Sequence, residues 1–429
     1  MIRDRNIVCV ASGWWDHPTG KHHVMRLLAE CNDVVWIGFH GSRRPSLTTR
    51  DAGAALRRLR RIVAGPRAVA SRLRVLTPLV LPLPSSPRAR RFNVWALRRQ
   101  IAAALRSLPR RPTQLWLFTP DVPELAEACS WERVVYFCVD EFAAFDGYDA
   151  RLIDALELRT LRRADVTLAT SPALLEARRP ETTTSHYAPH GVDFEHFAKA
   201  RARTAASVPA DLRDIPGPRF GYFGLIGAYV DLDLLARVAR RRADWSFVLI
   251  GDAGCDLAPL ERISNVHILG GRPYESLPAY SRGLDVGLIP FRMSRLTRAV
   301  NPIKLREYLA AGLPVISAPL PAAMEFAPHV LLAQTPDELI AAGELALRSR
   351  SDQDARARQE RVRGDSWRAR VEEFSRWVMA AGVRDEGHAP SGTPGERVTA
   401  AERGTPAERV TPGERGTAAE RVTPAGATG

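Results

Sequence analysis

Asn301-Pro302-Ile303-Lys304-Leu305-Arg306-Glu307-Tyr308-Leu309-Ala310-Ala311-Gly312-Leu313-Pro314-Val315-Ile316-Ser317 encodes a helix start, a helix stop and the strand that follows. Proline suits the first turn of a helix, glycine its C-terminal end, and Pro314 the exit into Val-Ile-Ser. Lys304 and Glu307 are three residues apart, so they share one face close to the helix N-terminus. Free backbone amides and the positive end of the helix, a lysine point charge and a carboxylate able to accept two hydroxyls together suit a diphosphate and a ribose. The choice of lysine carries weight, because the chain has 58 arginines and three lysines, and arginine's flat fork fits different geometry. The competing reading of the pair is a surface ion pair.

Outward from this segment, short apolar runs alternate with helical patterns, the mark of α/β layers on parallel sheets. Strands are expected at 7–10, 34–38, 114–118, 134–139 and 166–169, and in a second series at 219–223, 246–250, 266–269, 286–290 and 315–317. The expected organisation is an N-terminal Rossmann-like domain at 1–197, a proline-marked linker at 198–218, and a second Rossmann-like domain at 219–365. A last amphipathic helix within 366–383 is expected to pack back toward the N-terminal domain. Residues 395–424 are five six-residue repeats of the type AERVTP; they offer too little apolar surface to offset chain entropy, so 384–429 is expected to be disordered and dispensable for turnover. Two doubly wound domains would face a cleft at their strands' carboxyl ends, where such sheets bind ligands.

The formal charge of +13 is concentrated. Residues 50–111 hold 16 arginines and one acid, Asp51, a net +15 that leaves −2 for the rest of the chain. No RNP, zinc-finger or helix-turn-helix pattern accompanies it, so nucleic acid is not the expected partner. Arginine excess from a GC-rich genome accounts for the count but not for the lack of glutamate. The segment, including Arg57, Arg58, Arg60 and Arg61, reads as a surface for anionic headgroups or a phosphorylated acceptor. No run approaches the roughly 20 apolar residues of a membrane span, and residues 7–10 are too short for a signal-peptide core. A cytoplasmic enzyme, peripheral at the membrane's inner face, is the expectation. Cys9, Cys31, Cys129, Cys138 and Cys255 lie scattered without metal-ligand spacing, so no catalytic metal is expected.

PIKLREYLAAGLPVIS resembles the donor-binding helix of group 1 (family 4) glycosyltransferases, in particular the branch with the teichuronic acid biosynthesis enzymes. VVYFCVDEFAAF at 134–145, LRRADVTLATSPAL at 161–174, APHGVDFEHF at 188–197, FGYFG at 220–224 and NVHILGGRPYESLPAYSRGLDVGLIPF at 265–291 agree with that branch. The resemblance covers about residues 6–380. It implies a GT-B fold and transfer of a sugar from a UDP- or GDP-sugar, usually with retention at the anomeric carbon, to a glycan or lipid-linked acceptor of the cell envelope or an exopolysaccharide. Members commonly carry a second glutamate eight positions before the one matched by Glu307. Here that residue is Ala299, which leaves the contacts to the donor sugar open.

The resemblance gives a donor-binding set of Gly224, Gly251, Gly271, Arg272, Tyr274, Lys304, Leu305 and Glu307. Gly224 allows close approach to phosphate, or is a turn glycine; Tyr274 is a base platform, or packs. Asp140 and Glu141 end a strand pointing to the cleft, where a carboxylate orients or deprotonates the acceptor hydroxyl, Asp140 alternatively capping a helix. Gly13-Trp14-Trp15-Asp16-His17 and Gly20-Lys21-His22-His23 lead into the first helix, with His23 the third catalytic candidate and a satisfied surface histidine the competing reading. His190 is read as shaping a loop beside the cleft. A sugar-nucleotide epimerase and a non-catalytic glycan- or membrane-binding protein are the alternatives on the same fold.

Overall fold

The computed structural model describes residues 1–15, 18–39, 60–62, 65–81, 83, 86–201 and 207–382. Asp16, His17, Arg57, Arg58 and the repeats lie outside the described residues.

The first sheet contains β1 (Asn6–Ala11), β2 (Asp33–Gly38), β3 (Arg67–Ala70), β4 (Leu73–Leu76), β5 (Thr113–Leu117), β6 (Arg133–Cys138), β7 (Val166–Ala169) and β8 (Ser185–Tyr187). Their order is β3-β4-β2-β1-β5-β6-β7-β8, and only the edge pair β3–β4 is antiparallel. The second contains β9 (Arg219–Phe223), β10 (Ser246–Ile250), β11 (Val266–Ile268), β12 (Val286–Ile289), β13 (Val315–Ser317) and β14 (Val330–Leu332), ordered β11-β10-β9-β12-β13-β14 and parallel throughout. Continuous apolar runs suit strands covered on both faces. In β1, Ile7 and Cys9 enter one core while Val8 and Val10 enter the other.

The helix Trp367–Ala380 starts at Ser366, whose hydroxyl accepts from Ala369 N at 3.2 Å. Trp367, Val371, Phe374 and Val378, spaced as one helix face, are buried in the core of the first sheet beside Ile7, Trp116 and Phe137. The chain thus returns to the first sheet after building the second. Val192 N donates to Asp365 O at 2.8 Å where the outgoing and returning strands of chain meet.

The described residues of 198–218 are less linker-like than their polarity implies. Ala200, Leu212 and Ile215, with Val192, Phe194 and Phe197 before them, are buried in the core of the second sheet. Strands β3, β4, β8 and β14 were not foreseen. They are three or four residues long; β3, β8 and β14 are exposed or half-buried along much of their length, while β4 buries Leu73, Val75 and Leu76 within four residues. In each sheet the connections leave a central strand in opposite directions, β1 to β2 and β5, β9 to β10 and β12. That places a crevice beyond the carboxyl ends of both.

Candidate active site

The helix Ile303–Ala310 begins at Pro302, which provides no side-chain cap, and ends at Gly312, whose φ of 75° the lack of a Cβ permits. Leu305, Tyr308 and Leu309 bury its back in the second core. The Tyr308 hydroxyl accepts from Phe223 N at 3.0 Å and donates to Gly221 O at 3.3 Å, fixing the helix against β9. Arg306, also buried, donates to Asn301 Oδ1 at 2.7 Å and to Asp365 Oδ2 at 3.2 Å. With its other side chains committed, the helix presents Lys304 and Glu307 to a cavity of about 350 Å³ between the sheets.

Both halves of the molecule line this cavity. Pro18, Thr19, Gly20, Lys21, Asp140 and His190 come from the first; Gly224, Gly251, Asp252, Gly271, Arg272, Tyr274, Asn301, Lys304 and Glu307 from the second. A Cβ on Gly251 would collide with the carbonyl of Gly224, and Gly224 has a φ of 116° with Lys304 Cε 3.3 Å from where its Cβ would lie. These two glycines let successive strand ends and the lysine stem close around the same space.

Lys304 and Glu307 form no hydrogen bond or ion pair with described residues, so they are not the surface pair. The ammonium lies 4.9 Å from the centroid of the Tyr222 ring and 5.2 Å from that of Phe291. Desolvation lowers Lys304 to about 8, against the pull of Glu307. It raises Glu307 to about 7, with Lys304 opposing. Desolvation also raises Asp140 to about 6, with Lys21 opposing. Three desolvated ionisable side chains around one cavity, none with a side-chain hydrogen bond or ion pair to a described residue, point to a ligand-binding site.

A stability prediction follows from Glu307. Its folded pKa lies above its unfolded value, so the native state binds the proton more tightly, and the cost of the buried carboxylate is absent in acid and complete above about pH 7. Glu307→Gln is expected to raise stability at pH 8 by on the order of 1 kcal/mol and to leave it unchanged near pH 4. Thermal melts at both pH values measure this; equal melting temperatures at pH 8 would speak against a desolvated carboxylate.

Three candidates, Leu305, Glu141 and His23, do not line this cavity. Leu305 is buried in the core and does not reach the cavity. Glu141, one residue beyond Asp140, turns away into an ion-pair network, accepting from Arg178 Nη1 at 2.8 Å and Arg295 Nη2 at 3.1 Å. His23 stacks on Trp367, centroids 5.0 Å apart and planes 3° from parallel, and borders a separate cavity beside Asp193 and His196; burial holds it neutral, lowered to about 4. Arg272 lines the site, but its guanidinium is engaged with Tyr280 Oη at 2.7 Å and Asp211 Oδ2 at 2.7 Å. Tyr274 borders the cavity with one ring face covered by His196, 4.7 Å away. Asp140 caps no helix: the short turn that follows begins at Glu141. His22 is the satisfied histidine of the pair, accepting from Thr19 N at 3.1 Å and meeting Trp14 O at 3.2 Å.

Lys21 was not singled out in the sequence. It lines the cavity and donates to Ser12 Oγ, and its charge acts on Asp140. Two of the chain's three lysines therefore meet at one site, and that rarity was the available signal. Ala299 is packed in the core of the first sheet, and its carbonyl accepts from Ser171 Oγ at 2.6 Å. Two residues on, Asn301 donates to Thr170 O at 2.8 Å. The segment before the Ile303–Ala310 helix is thus docked on the opposite half of the molecule.

Residues 218–348 match the family model described as glycosyl transferases group 1. That stretch is similar to group 1 glycosyltransferases. A protein of Bacillus subtilis (strain 168), provisionally assigned as the teichuronic acid biosynthesis glycosyltransferase TuaH, is 29% identical over 259 residues, 56% of this chain and 64% of the relative. The match spans less than two thirds of that relative. Among solved structures, sucrose-phosphate synthase from Thermosynechococcus elongatus superposes with a TM-score of 0.65 at 15% identity, over 88% of this chain and 100% of that one. An E. coli trehalose-6-phosphate protein bound with UDP-2-fluoro glucose gives 0.63 at 13%, over 87% and 99%. Anabaena Alr3699/HepE in complex with UDP gives 0.58 at 13%, over 87% and 99%. At such identities the likeness is one of fold, and that fold is GT-B.

Proposed function

We propose that the cavity binds a nucleotide sugar and transfers its glycosyl group to a hydroxyl of a glycan or lipid-linked acceptor in cell-envelope polysaccharide synthesis. The observation that carries this reading is the unpartnered Lys304 and Glu307 on one helix face, with Asp140 on the opposite wall of the same cavity. Lys304 and the uncapped helix amides hold the diphosphate, Glu307 accepts from the ribose, and Gly224 and Gly251 leave room for the phosphates. The solved GT-B structures that carry UDP or a UDP-sugar favour UDP as the nucleotide.

In transfer, the acceptor oxygen bonds the anomeric carbon as the bond from that carbon to the β-phosphate breaks. The hydroxyl proton passes to Asp140 or to the departing diphosphate, and Lys304 stabilises the charge left on the phosphate. Retention is the outcome usual for the resemblance. With Ala299 turned into the opposite core, contacts to the sugar fall to Asp140 and Lys21.

Incubation with radiolabelled UDP- and GDP-sugars tests the activity. Release of nucleoside diphosphate only when a membrane-extract acceptor is added supports transfer; release or isomerisation without acceptor indicates an epimerase, and binding without either indicates a non-catalytic protein. Glu307→Ala is expected to weaken nucleotide binding by about 1.5 to 3 kcal/mol, the range for charge-assisted hydrogen bonds, and Lys304→Arg to fall short of full activity. Unchanged affinity in Glu307→Ala would remove Glu307 from the site.

A further inference from the structure

The arginines of residues 50–111 separate by what they face. Arg72 and Arg111 pair with Asp33 at 3.1 and 2.9 Å, Arg90 pairs with Glu124 at 2.8 Å, and Arg74 donates to Ser107 Oγ at 2.7 Å. Arg88, Arg91, Arg98, Arg99 and Arg106 on the helix Pro87–Arg106 are exposed, and none forms an ion pair with a described carboxylate. At about 100° per residue, Arg88, Trp95, Arg99 and Arg106 fall within about 40° of arc on that helix. The unpaired charge is therefore a stripe on one side.

The same helix and the loop before it also carry exposed apolar side chains. Trp95 is 53% exposed, and Leu79, Leu81 and Leu83 are 45%, 40% and 57% exposed, four of the eleven large exposed apolar side chains among the described residues. The loop carrying the leucines is held in place along the helix. Leu81 N donates to Asn93 Oδ1 at 2.7 Å, Asn93 Nδ2 donates back to Leu81 O at 2.9 Å, and Leu79 N donates to Gln100 Oε1 at 3.4 Å. The buried amide of Asn93 satisfies this loop's backbone, while its leucines stay outside the core. No described helix is long and apolar enough to cross a membrane.

We infer that the helix Pro87–Arg106 and the Leu79–Leu83 loop together dock the protein on a bilayer with anionic headgroups, the arginines meeting phosphates while Trp95 and the leucines enter the interface. Arginine attraction decays over about 8 Å at physiological salt, so the stripe must lie close to the headgroups. Tryptophan suits the boundary because its ring is apolar and its N–H polar. Nucleic acid or a soluble polyanion would use the charge and leave the leucines in water. The inference rests on the acceptor being lipid-linked only for its purpose, since docking needs no turnover.

The test is co-sedimentation of the full chain with phosphatidylglycerol–phosphatidylcholine vesicles and with pure phosphatidylcholine, at 50 mM and 500 mM salt. Wild type is expected to sediment with the anionic vesicles at low salt and at least tenfold less at high salt. Replacing Arg88, Arg91, Arg98 and Arg99 with Gln should weaken binding at least tenfold. Replacing Leu79, Leu83 and Trp95 with Ser, which leaves the charge unchanged, should also weaken it several-fold. Nucleotide affinity, measured alongside, should be unaltered in both variants. Wild type that ignores anionic vesicles, or either variant binding as wild type does, overturns the inference. Vesicle binding by a protein that takes up no nucleotide would instead defeat the transferase reading and leave the docking surface standing.

Discussion

Asp140→Asn is expected to lower kcat by about 10²- to 10⁴-fold, the usual contribution of a positioned general base, with nucleotide affinity little changed. Asn keeps the shape of the side chain and removes its charge. Asp140 lies at the end of β6 on the cavity wall opposite Lys304, with a carboxyl raised to about 6 by desolvation. As a base it must be ionised, so wild-type kcat should climb as pH rises through about 6, and the variant should lack that limb. A variant within tenfold of wild type that keeps the same pH profile would show that Asp140 only lines the site.

Arg178→Met is expected to cost about 3 to 5 kcal/mol of stability, the range for leaving buried charges without their partner. Arg178 is 4% exposed. It donates to Glu141 Oε2 at 2.8 Å and to Glu157 at 3.2 and 3.0 Å. Glu157 also accepts from Tyr136 Oη at 2.5 Å, and Glu141 is 3.1 Å from Arg295 in the second half of the chain. Removing the guanidinium takes a buried cation from two carboxylates at once, leaving Glu157 with Tyr136 and Glu141 with Arg295. Urea denaturation measures the loss, and failure to accumulate as folded protein agrees with it. A change below about 1 kcal/mol would mean that water or side-chain movement replaces the pair.

The fold was legible for most strands that are buried along their length. β7, β9, β10 and β13 have the expected limits, whereas β3, β8 and β14 span three or four residues with mixed exposure. That Lys304 and Glu307 share one helix face was legible because they are local: three residues apart on one helix, their relation depends on helical geometry alone. Relations between distant segments were not. Asp140 and Glu141 are adjacent, and their sequence does not tell which faces the cavity; the answer lies with Arg178 and Arg295, 37 and 154 positions further along the chain. His23 is drawn aside by Trp367, a partner that only the returning C-terminal helix supplies. The charge of residues 50–111 overstated the surface, because Asp33 and Glu124, the first outside that segment and the second beyond it, absorb three of its arginines.

The claim that the cavity between the two sheets is a nucleotide-sugar site is met most directly by calorimetric titration of UDP and of GDP into the wild-type protein and into Lys304→Met at pH 7.5. Saturable binding of one nucleotide at one site per chain, weakened at least tenfold in the variant, is the predicted result. Wild-type protein that binds neither nucleotide, or a Lys304→Met variant that binds as tightly as wild type, would contradict it.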